Sequence, residues 1–321
     1  MNLPADLQAL SPCDSLYVSP HHDDVLLSCG ARLLADAARG LRIVVVTVFG
    51  EDARPLPEIG ALAGEDVRRF SLGLPEATRR SDYYSSFRAL VEGRRSDDEG
   101  WLQDAAQALS DIGHRSRASQ VYVPLGVGSH IDHRLAHEAC LRAFQSGDGR
   151  NVFLYEERPE ASVRGAVRVR LGQLGARLPP AAAHAADPPR LAPFLWRFHL
   201  APSLRGDIKG WPERLRSTGL AARQWRLSRA WHPHRGFGPR LQPVVHPTGA
   251  AQLDDVRRLQ QALSPASGRP AARVARLSAA YARRLGGSEH AERYWLLLPP
   301  REDGGITRVG ESDEPVPARA G

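Results

Sequence analysis

Two histidines and two aspartates occupy four consecutive positions near the start of the chain, His21-His22-Asp23-Asp24. Residues 16–18 before them read as the end of a short apolar strand, and residues 25–38 after them carry apolar side chains at helical spacing. The four polar residues are therefore predicted to lie at a strand-to-helix turn. Open α/β sheets bind ligands beyond the carboxyl ends of their strands, where the strand order reverses, so this turn is predicted to belong to a functional site.

A second polar cluster, His130-Ile131-Asp132-His133, follows the apolar segment 120–123 and opens another helical segment. Two such clusters at neighbouring strand ends of one sheet can converge in space. Neutral imidazole and carboxylate oxygen are ligands that catalytic zinc prefers, with three protein ligands and one position left to water. The pair of clusters therefore indicates a divalent-metal site.

The elements that must position these clusters alternate along the chain. Strands are predicted at 16–19, 41–48, 120–123 and 151–155, and helices at 25–39, 65–72, 101–112 and 132–144. Segment 41–48 is a continuous β-branched run, which is typical of a strand buried in a parallel sheet. The alternation predicts an α/β fold with a Rossmann-like, mostly parallel sheet flanked by helices on both faces.

The C-terminal half has a weaker pattern. Residues 159–250 are rich in Pro, Gly, Trp and Arg and are predicted to be irregular, and only segments 273–285 and 294–298 again suggest regular elements. We expect a single domain over residues 1–300, with its core at 14–158 and a substrate wall plus C-terminal elements at 159–300. Residues 301–321 are expected to form a flexible tail.

Several classes of protein are disfavoured by missing signals. The first strand is followed by His and Asp instead of G-x-G-x-x-G, and no P-loop is found, so a dinucleotide or nucleotide cofactor is not expected. The three cysteines have no Cys-x-x-Cys spacing, which argues against a disulfide framework or a thiolate zinc site. No secretory signal and no membrane-spanning run is visible, so a cytoplasmic location is expected.

The net charge of +7 raises the question of nucleic-acid binding. Lys209 is the only lysine among 43 basic residues, and the arginines are scattered along the chain. A nucleic-acid surface requires a clustered basic stripe with interleaved aromatic residues, and segment 196–240 is the nearest approach to one. Basic runs are commonly solvated faces, so a small substrate that carries a sugar or an anionic group is favoured over a nucleic acid.

The HxDD of residues 21–24 together with the HxDH of residues 130–133 resembles the PIG-L/LmbE-like family of zinc-dependent N-acetylglucosaminyl deacetylases. Segments 47–51, 155–159 and 292–295 add weaker similarity. The resemblance covers about residues 14–298 and implies a Rossmann-like fold and one zinc or similar divalent ion per chain.

Applied residue by residue, the resemblance implies that His21, Asp24 and His133 bind the metal. It further implies that Asp23 is the general base and that His130 assists the transition state. Asp132 is then expected to orient His130 and to keep it protonated, because a carboxylate partner stabilises an imidazolium.

The substrate contacts are less well marked. Gly128 stands where some members of the family have a tyrosine that serves as general acid, and Leu62 stands where some have an arginine that contacts the sugar. The candidates for contacts with the sugar are Glu51, Arg68 and Asp82.

Each of these residues also has a purely structural interpretation. The aspartates of both clusters could be helix N-caps, a role for which Asp is favoured, although caps do not require histidines. His22 is interpreted as a turn residue on the solvent side, His137 as a helix-surface residue, and Cys29 as a small core residue.

The prediction that follows is a metal-dependent amide hydrolase that removes acetate from an N-acetylated amino sugar or sugar conjugate. A second reading keeps the hydrolysis but changes the substrate to a thiol-sugar conjugate or an acylated natural product. A third reading, from another class, is a noncatalytic Arg-rich binding protein on the same fold.

Overall fold

A computed structural model of the protein describes residues 4–50, 67–144, 149–186, 210–263, 271–287 and 289–299. Within this part of the chain, one sheet of seven strands forms the centre of the molecule. The strands are β1 Ser15–Ser19, β2 Ile43–Phe49, β3 Val67–Leu74, β4 Gln120–Pro124, β5 Asn151–Tyr155, β6 Arg240–Pro247 and β7 Ala291–Leu298.

The helices of the described residues connect these strands and cover the sheet. They are α1 Ala5–Gln8, α2 Asp24–Ala38, α3 Ala77–Arg80, α4 Phe87–Glu92, α5 Glu99–Ser116, α6 Ile131–Ala143, α7 Ala166–Gln173, α8 Trp211–Ala230, α9 Ala250–Leu263 and α10 Ala271–Arg284. Short 3₁₀ turns lie at Asp82–Ser85, Ser96–Asp98, Glu160–Ser162 and Pro180–Ala185. Among the helices of the described residues, none is both long enough and apolar enough to cross a lipid bilayer.

The strand order is β3-β2-β1-β4-β5-β7-β6. The first five strands are parallel, and β7 and β6 extend the sheet in antiparallel pairings. The order runs outward from β1 in both directions, so the chain reverses its direction across the sheet between β1 and β4. The predicted α/β fold with a mostly parallel sheet is confirmed.

Apolar side chains pack on both faces of the sheet, as the continuous apolar runs of the strands require. Leu16 and Val18 of β1 join the core under α5 and α6, whereas Tyr17 between them joins the core under α2 and α9. All seven residues of β2 are buried. Helices therefore cover both faces, and the carboxyl ends of the parallel strands share one edge of the sheet.

The predicted helix at 65–72 is wrong over the residues that the structure describes. Residues 67–74 form β3, which pairs in parallel with β2 from Ile43↔Val67 to Phe49↔Leu74. Phe70, Leu72 and Leu74 are buried at a spacing of two residues, which is the period of a strand.

The region after Pro159 is more regular than predicted, since it contains α7, α8, α9 and β6 in addition to the two expected elements. The expected elements are α10 and β7, which correspond to segments 273–285 and 294–298. The predicted flexible tail, residues 301–321, lies outside the described residues.

A buried carboxylate on β7 holds helix α2 against the sheet. Glu292, which is fully buried, accepts hydrogen bonds from the backbone N–H groups of Ala31 at 2.8 Å and Arg32 at 3.0 Å. The hydroxyl of Tyr294 donates to the same carboxylate at 2.6 Å, and a ring nitrogen of His290 lies 3.2 Å from it. The C-terminal part of the chain therefore helps to position the helix that begins with the first polar cluster.

Candidate metal centre and active site

The two polar clusters lie side by side at the carboxyl edge of the sheet. β1 pairs with β4 in parallel, from Ser15↔Gln120 to Tyr17↔Tyr122, so the turns that follow the two strands are neighbours. Asp24 is the first residue of α2, and Ile131 is the first residue of α6. The predicted adjacency of the two strand ends is confirmed, and the clusters meet where the strand order reverses.

Donor atoms of His21, Asp24 and His133 lie within 4.8 Å of one another, as the ligands of one metal ion would. The Oδ2 atom of Asp24 is 3.3 Å from Nδ1 of His21 and 3.3 Å from Nε2 of His133. His21, His130 and Asp132 form a second group that meets the same 4.8 Å criterion and shares His21 with the first. His21 is therefore common to both arrangements.

The outward ring nitrogen of each histidine in the first group faces a buried carboxylate. Nε2 of His21 lies 3.1 Å from Oδ2 of Asp132, and Nδ1 of His133 lies 3.4 Å from Oε1 of Glu157. Histidines that bind metals almost always donate their other N–H to such a partner, which fixes the tautomer and the ring orientation. Two imidazoles and a carboxylate with these partners fit the ligand set of a catalytic zinc.

Glu157 is a site residue that the sequence analysis did not assign. Its carboxylate is fully buried and accepts hydrogen bonds from the backbone N–H groups of Gly126 at 2.5 Å and Val127 at 3.1 Å. It therefore joins the end of β5 to the loop after β4 and to the ring of His133. The signal in the sequence was the pair Glu156-Glu157 directly after a buried strand, but only the fold shows which of the two faces the site.

Asp132 is held by groups from α3 and from the turn after β1. Its Oδ1 atom is 2.7 Å from Nη1 of Arg80. Its Oδ2 atom accepts a hydrogen bond from the backbone N–H of Ala77 at 3.1 Å and also faces His21. Burial alone raises the pKa of Asp132, but His21 and the other nearby cations outweigh it and hold that pKa well below its ordinary value. Asp132 is therefore a carboxylate that orients His21.

Arg80 was not predicted, and no pattern in the sequence distinguishes it among so many scattered arginines. Its side chain is only 1% exposed, and its Nε atom lies 3.4 Å from Oδ1 of Asp98. The guanidinium carbon also lies 4.9 Å from the centre of the Phe49 ring. This buried cation compensates the charges of Asp98 and Asp132.

His130 differs from the expectation that Asp132 keeps it protonated. It is the backbone N–H of Asp132 that donates to Nδ1 of His130, at 3.2 Å, while the carboxylate of Asp132 faces His21. Burial, with the nearby His133 and His21, lowers the pKa of His130 to about 3. His130 is therefore neutral, with its proton on Nε2, because Nδ1 accepts a hydrogen bond.

This geometry also answers the alternative that the aspartates serve as helix caps. Asp23 occupies the N-cap position of α2 without a side-chain capping hydrogen bond. The N-cap of α6 is His130, whose ring accepts from Asp132. Asp24 instead accepts from the backbone N–H of His21 at 2.9 Å, which closes the turn. Helix capping by the aspartates therefore does not account for the two clusters.

Asp23 lies beside the metal-binding group without belonging to it. Its side chain is half-buried, and burial together with the neighbouring charge of Asp24 raises its pKa. Burial alone would also raise the pKa of Asp24. The nearby His133 and His21 outweigh this effect and hold the pKa of Asp24 below its ordinary value. The adjacent aspartates therefore differ, since Asp24 is stabilised as an anion whereas Asp23 is a stronger base.

The three candidates for sugar contacts have different positions. Glu51 lies outside the described residues. Arg68 is exposed near the start of β3, paired with Val44, and five residues of strand separate Val44 from Phe49 at the site edge, roughly 16 Å at about 3.3 Å per residue. Asp82 is exposed in the 3₁₀ turn that follows α3. The structure therefore does not bring the backbone of Arg68 to the metal-binding group.

The remaining predictions concern residues near the clusters. His22 belongs to neither donor group, and it is half-buried instead of lying on the solvent side. His137 was predicted on the helix surface, but it is 2% exposed and its Nδ1 lies 2.8 Å from the carbonyl oxygen of Pro124. The hydrogen bond to the end of β4 explains its burial. Cys29 is fully buried in the core, as expected.

Over part of its length the chain is similar to known deacetylases. Over 180 residues the chain is 35% identical to a 2'-N-acetylparomamine deacetylase of Streptomyces fradiae, covering 48% of this chain and 60% of that protein. Over 179 residues it is 25% identical to a 1D-myo-inositol 2-acetamido-2-deoxy-alpha-D-glucopyranoside deacetylase of Saccharomonospora viridis, covering 48% and 67%. The chain thus spans less than two thirds of the Streptomyces relative. No family model matches the chain.

The fold is also that of a solved deacetylase structure. The zinc-inhibited form of the teicoplanin deacetylase Orf2 superposes with a TM-score of 0.53 at 18% identity, covering 90% of this chain and 99% of that one. Together with the paired motifs at the carboxyl edge of the sheet, these similarities agree with the resemblance of the chain to the PIG-L/LmbE-like deacetylase family.

Proposed function

We propose that the protein hydrolyses an N-acetyl amide on an amino sugar or sugar conjugate and releases acetate. The observation that carries this proposal is the convergence of His21, Asp24 and His133, with the separate carboxylate of Asp23 beside them. A binding protein would not need a basic, half-buried carboxylate next to three metal-binding groups. Catalysis is therefore favoured over the noncatalytic alternative.

We further propose zinc, or a similar divalent ion, as the cofactor, held by Nδ1 of His21, a carboxylate oxygen of Asp24 and Nε2 of His133. These are the donor atoms left after Asp132 and Glu157 have taken the other ring nitrogens. When bound, zinc polarises a carbonyl and lowers the pKa of a coordinated water to about 7. All of the other roles fall to residues of the chain.

In this proposal Asp23 is the general base that accepts the proton of the attacking water. A base works best when its pKa approaches the working pH, and burial together with Asp24 moves the pKa of Asp23 upward. Asp23 then passes this proton to the leaving amine. Gly128 has no side chain that could protonate the amine in its place.

His130 is proposed to stabilise the oxyanion as a neutral hydrogen-bond donor through Nε2. The hydrogen bond from the backbone of Asp132 to Nδ1 fixes this tautomer. A donor held in place before the reaction stabilises developing negative charge without having to reorganise. This role replaces the imidazolium that the sequence suggested.

The class of substrate comes from the relatives, two of which are named as deacetylases of N-acetylated amino-sugar compounds. We propose that Glu51 and Asp82 contact the hydroxyls of the sugar. The position of Arg68 near the start of β3 does not favour that role for it. We also propose that residues 1–300 act as one catalytic unit.

The direct test is release of acetate from a panel of N-acetylated amino sugars and their glycosides by the zinc-loaded protein. We expect turnover of at least one member, and loss of both the metal and turnover in His133→Ala. His22→Ala is the matched control, since His22 belongs to neither donor group, and its turnover should stay within a few-fold of wild type. Absence of acetate release from every member of the panel by protein with verified zinc would contradict the proposal.

A further inference from the structure

The segment that runs from β3 to α3 contains two pairs of adjacent arginines, Arg68-Arg69 and Arg79-Arg80. In each pair the first arginine is exposed. Arg69 is half-buried, and the side chain of Arg80 is 1% exposed. The second arginine of each pair contacts one of the two polar clusters of the metal centre. One short segment at the edge of the sheet therefore reaches both clusters.

The first cluster lies on a turn in which every backbone carbonyl group accepts a hydrogen bond. This holds for residues 20–23, and the carbonyl oxygen of His22 accepts from Nη2 of Arg69 at 3.2 Å. The other three donors are the hydroxyl of Ser19 and the backbone N–H groups of Phe49 and Leu27. Of the four donors, only that of Arg69 lies at the end of a long side chain.

The position of Arg69 in the sheet explains how its side chain reaches the turn. Arg69 pairs with Val45 of β2, and directly paired residues of neighbouring strands place their side chains on the same face. Val45 belongs to the core under α2. Arg69 therefore lies on the face that α2 covers, and its guanidinium links the edge strand to the turn from which α2 begins.

Arg80 acts on the second cluster through Asp132. Its Nη1 atom lies 2.7 Å from Oδ1 of Asp132, whose Oδ2 atom faces Nε2 of His21 at 3.1 Å. The same Nη1 atom donates to the carbonyl oxygen of Pro75 at 2.9 Å, which fixes the guanidinium. A histidine that binds zinc is a neutral ligand, so Arg80 is the cation that compensates the buried charge of Asp132 when His21 binds the metal.

The shape of the guanidinium matters as well as its charge. Nε of Arg80 lies 3.4 Å from Oδ1 of Asp98, so one side chain faces two buried carboxylates and the carbonyl of Pro75. A guanidinium presents its donors in a rigid fork, whereas a lysine ammonium is a compact point charge on a flexible stem. Arg80→Lys therefore keeps the charge and loses the simultaneous contacts.

We propose that Arg69 and Arg80 are positioning residues of the metal centre. Arg69 fixes the turn of the first cluster through the carbonyl of His22, and Arg80 fixes Asp132 against the ring of His21. This inference rests on the zinc site of the proposed function. It makes the segment from β3 to α3 part of the frame that sets metal affinity.

For Arg69, positioning and electrostatics predict changes of opposite sign. Its guanidinium is a positive charge near a site for a divalent cation, so removal of the charge alone would tighten zinc binding. Arg69→Met removes the charge and the donor but keeps an unbranched side chain. We expect zinc affinity to fall about tenfold, as on loss of a group that orients a metal ligand. Arg69→Lys retains a donor and should recover most of the affinity.

For Arg80, the charge is kept and only the geometry changes. We expect Arg80→Lys to weaken zinc binding by about tenfold, because Asp132 no longer holds His21 in a fixed orientation. Arg68→Met and Arg79→Lys are the matched controls, since both residues are exposed neighbours of the two arginines. Surface substitutions have small effects, so both controls should stay within about twofold of the wild-type affinity.

Zinc affinity is measured on the full chain by competition with a chromogenic chelator, and urea unfolding of the metal-free chain records the stability of each variant. The absorption spectrum of the Co²⁺-loaded protein reports the coordination geometry. Arg69→Met and Arg80→Lys should change this spectrum, whereas a loss of stability alone would leave it as in the wild-type protein.

Unchanged or tighter zinc binding by Arg69→Met or by Arg80→Lys would overturn the inference for that arginine. Equal losses in the matched controls, or weaker binding with an unchanged Co²⁺ spectrum, would also overturn it. If Arg80→Lys does not fold, the sign of the change in Arg69→Met decides the matter. Failure of the wild-type chain to bind zinc would instead contradict the proposed function.

Discussion

At the scale of residues, adjacent side chains of one type have different environments and different roles. Asp24 lies between the rings of His21 and His133 and is stabilised as an anion, whereas Asp23 is next to that anion and is a stronger base. Glu156 and Glu157, which follow β5, likewise have different environments and different roles. Glu157 faces His133, whereas Glu156 accepts hydrogen bonds from Nε of Arg293 at 2.6 Å and from Nε1 of Trp295 at 2.7 Å.

The Glu156-Glu157 pair allows a matched experiment on metal affinity. Glu157→Gln removes the carboxylate that orients His133, and loss of such a partner typically weakens metal binding by about 10- to 100-fold. Glu156→Gln is the control, because Glu156 interacts with β7 and α10 and not with the site. It should lower stability and leave zinc affinity within about threefold of wild type.

Zinc affinity in both variants can be measured by competition with a chromogenic chelator. Equal zinc affinities for Glu157→Gln and the wild-type protein would show that Glu157 is only a structural residue. Equal losses in the two variants would show that general destabilisation, and not the contact with His133, accounts for the effect.

At the scale of elements, strand-to-helix turns could be predicted because each follows a short buried strand and precedes a helix with apolar periodicity. The error at 65–72 has a physical cause. Phe70 and Leu72 are two residues apart, which is the period of a strand, but the surrounding arginines hide that alternation in a short segment. Pairing with the fully buried β2 decides between the two conformations.

Helix α8 was missed for another reason. Its buried residues are Ser217, Ala221, Gln224 and Ser228, which recur at helical spacing but are small or polar. Close approach to α7 depends on these small side chains, as shown by Gly172, where an added Cβ would lie 3.2 Å from Cβ of Trp231. Hydrophobic periodicity does not detect a helix that packs in this way.

The contact between β7 and α2 predicts a specific dependence of stability on pH. Burial alone raises the pKa of Glu292, but His290, Arg158 and the hydrogen bond from Tyr294 outweigh it and lower that pKa to about 2. Its stabilising contribution is therefore fully present above the ordinary pKa of about 4.3 and is lost as the pH falls towards 2.

Glu292→Gln should be less stable than wild type by roughly 3 kcal/mol at pH 7, and the difference should narrow as the pH falls from about 4.5 towards 2. The measurement is urea unfolding of both proteins across this pH range. A difference that is constant with pH would show that the ionised form of Glu292 does not stabilise the attachment of α2.

At the scale of the whole molecule, the sequence was sufficient to predict the sheet, its main strands and the convergence of the two clusters. These features depend on local patterns and on the general topology of parallel sheets. The contributions of Glu157, Arg80 and His137 could not be predicted, because each depends on which side chains of distant segments meet in the folded chain. The C-terminal region was underestimated for the same reason.

The architecture assigns separate tasks to the two halves of the chain. The parallel strands place the metal-binding residues at one edge, while the elements after Pro159 secure α2 through Glu292.

The central claim is that neighbouring aspartates separate metal binding from proton transfer, and one measurement tests it most directly. Zinc content and kcat are determined together for Asp23→Asn and Asp24→Asn on the substrate with the highest turnover. Asp23→Asn should retain about one zinc per chain and lose about 10²- to 10⁴-fold in kcat with KM little changed, since an amide cannot accept the proton of water. Asp24→Asn should lose both zinc and turnover, and an Asp23→Asn protein with verified zinc and near-normal kcat would contradict the account.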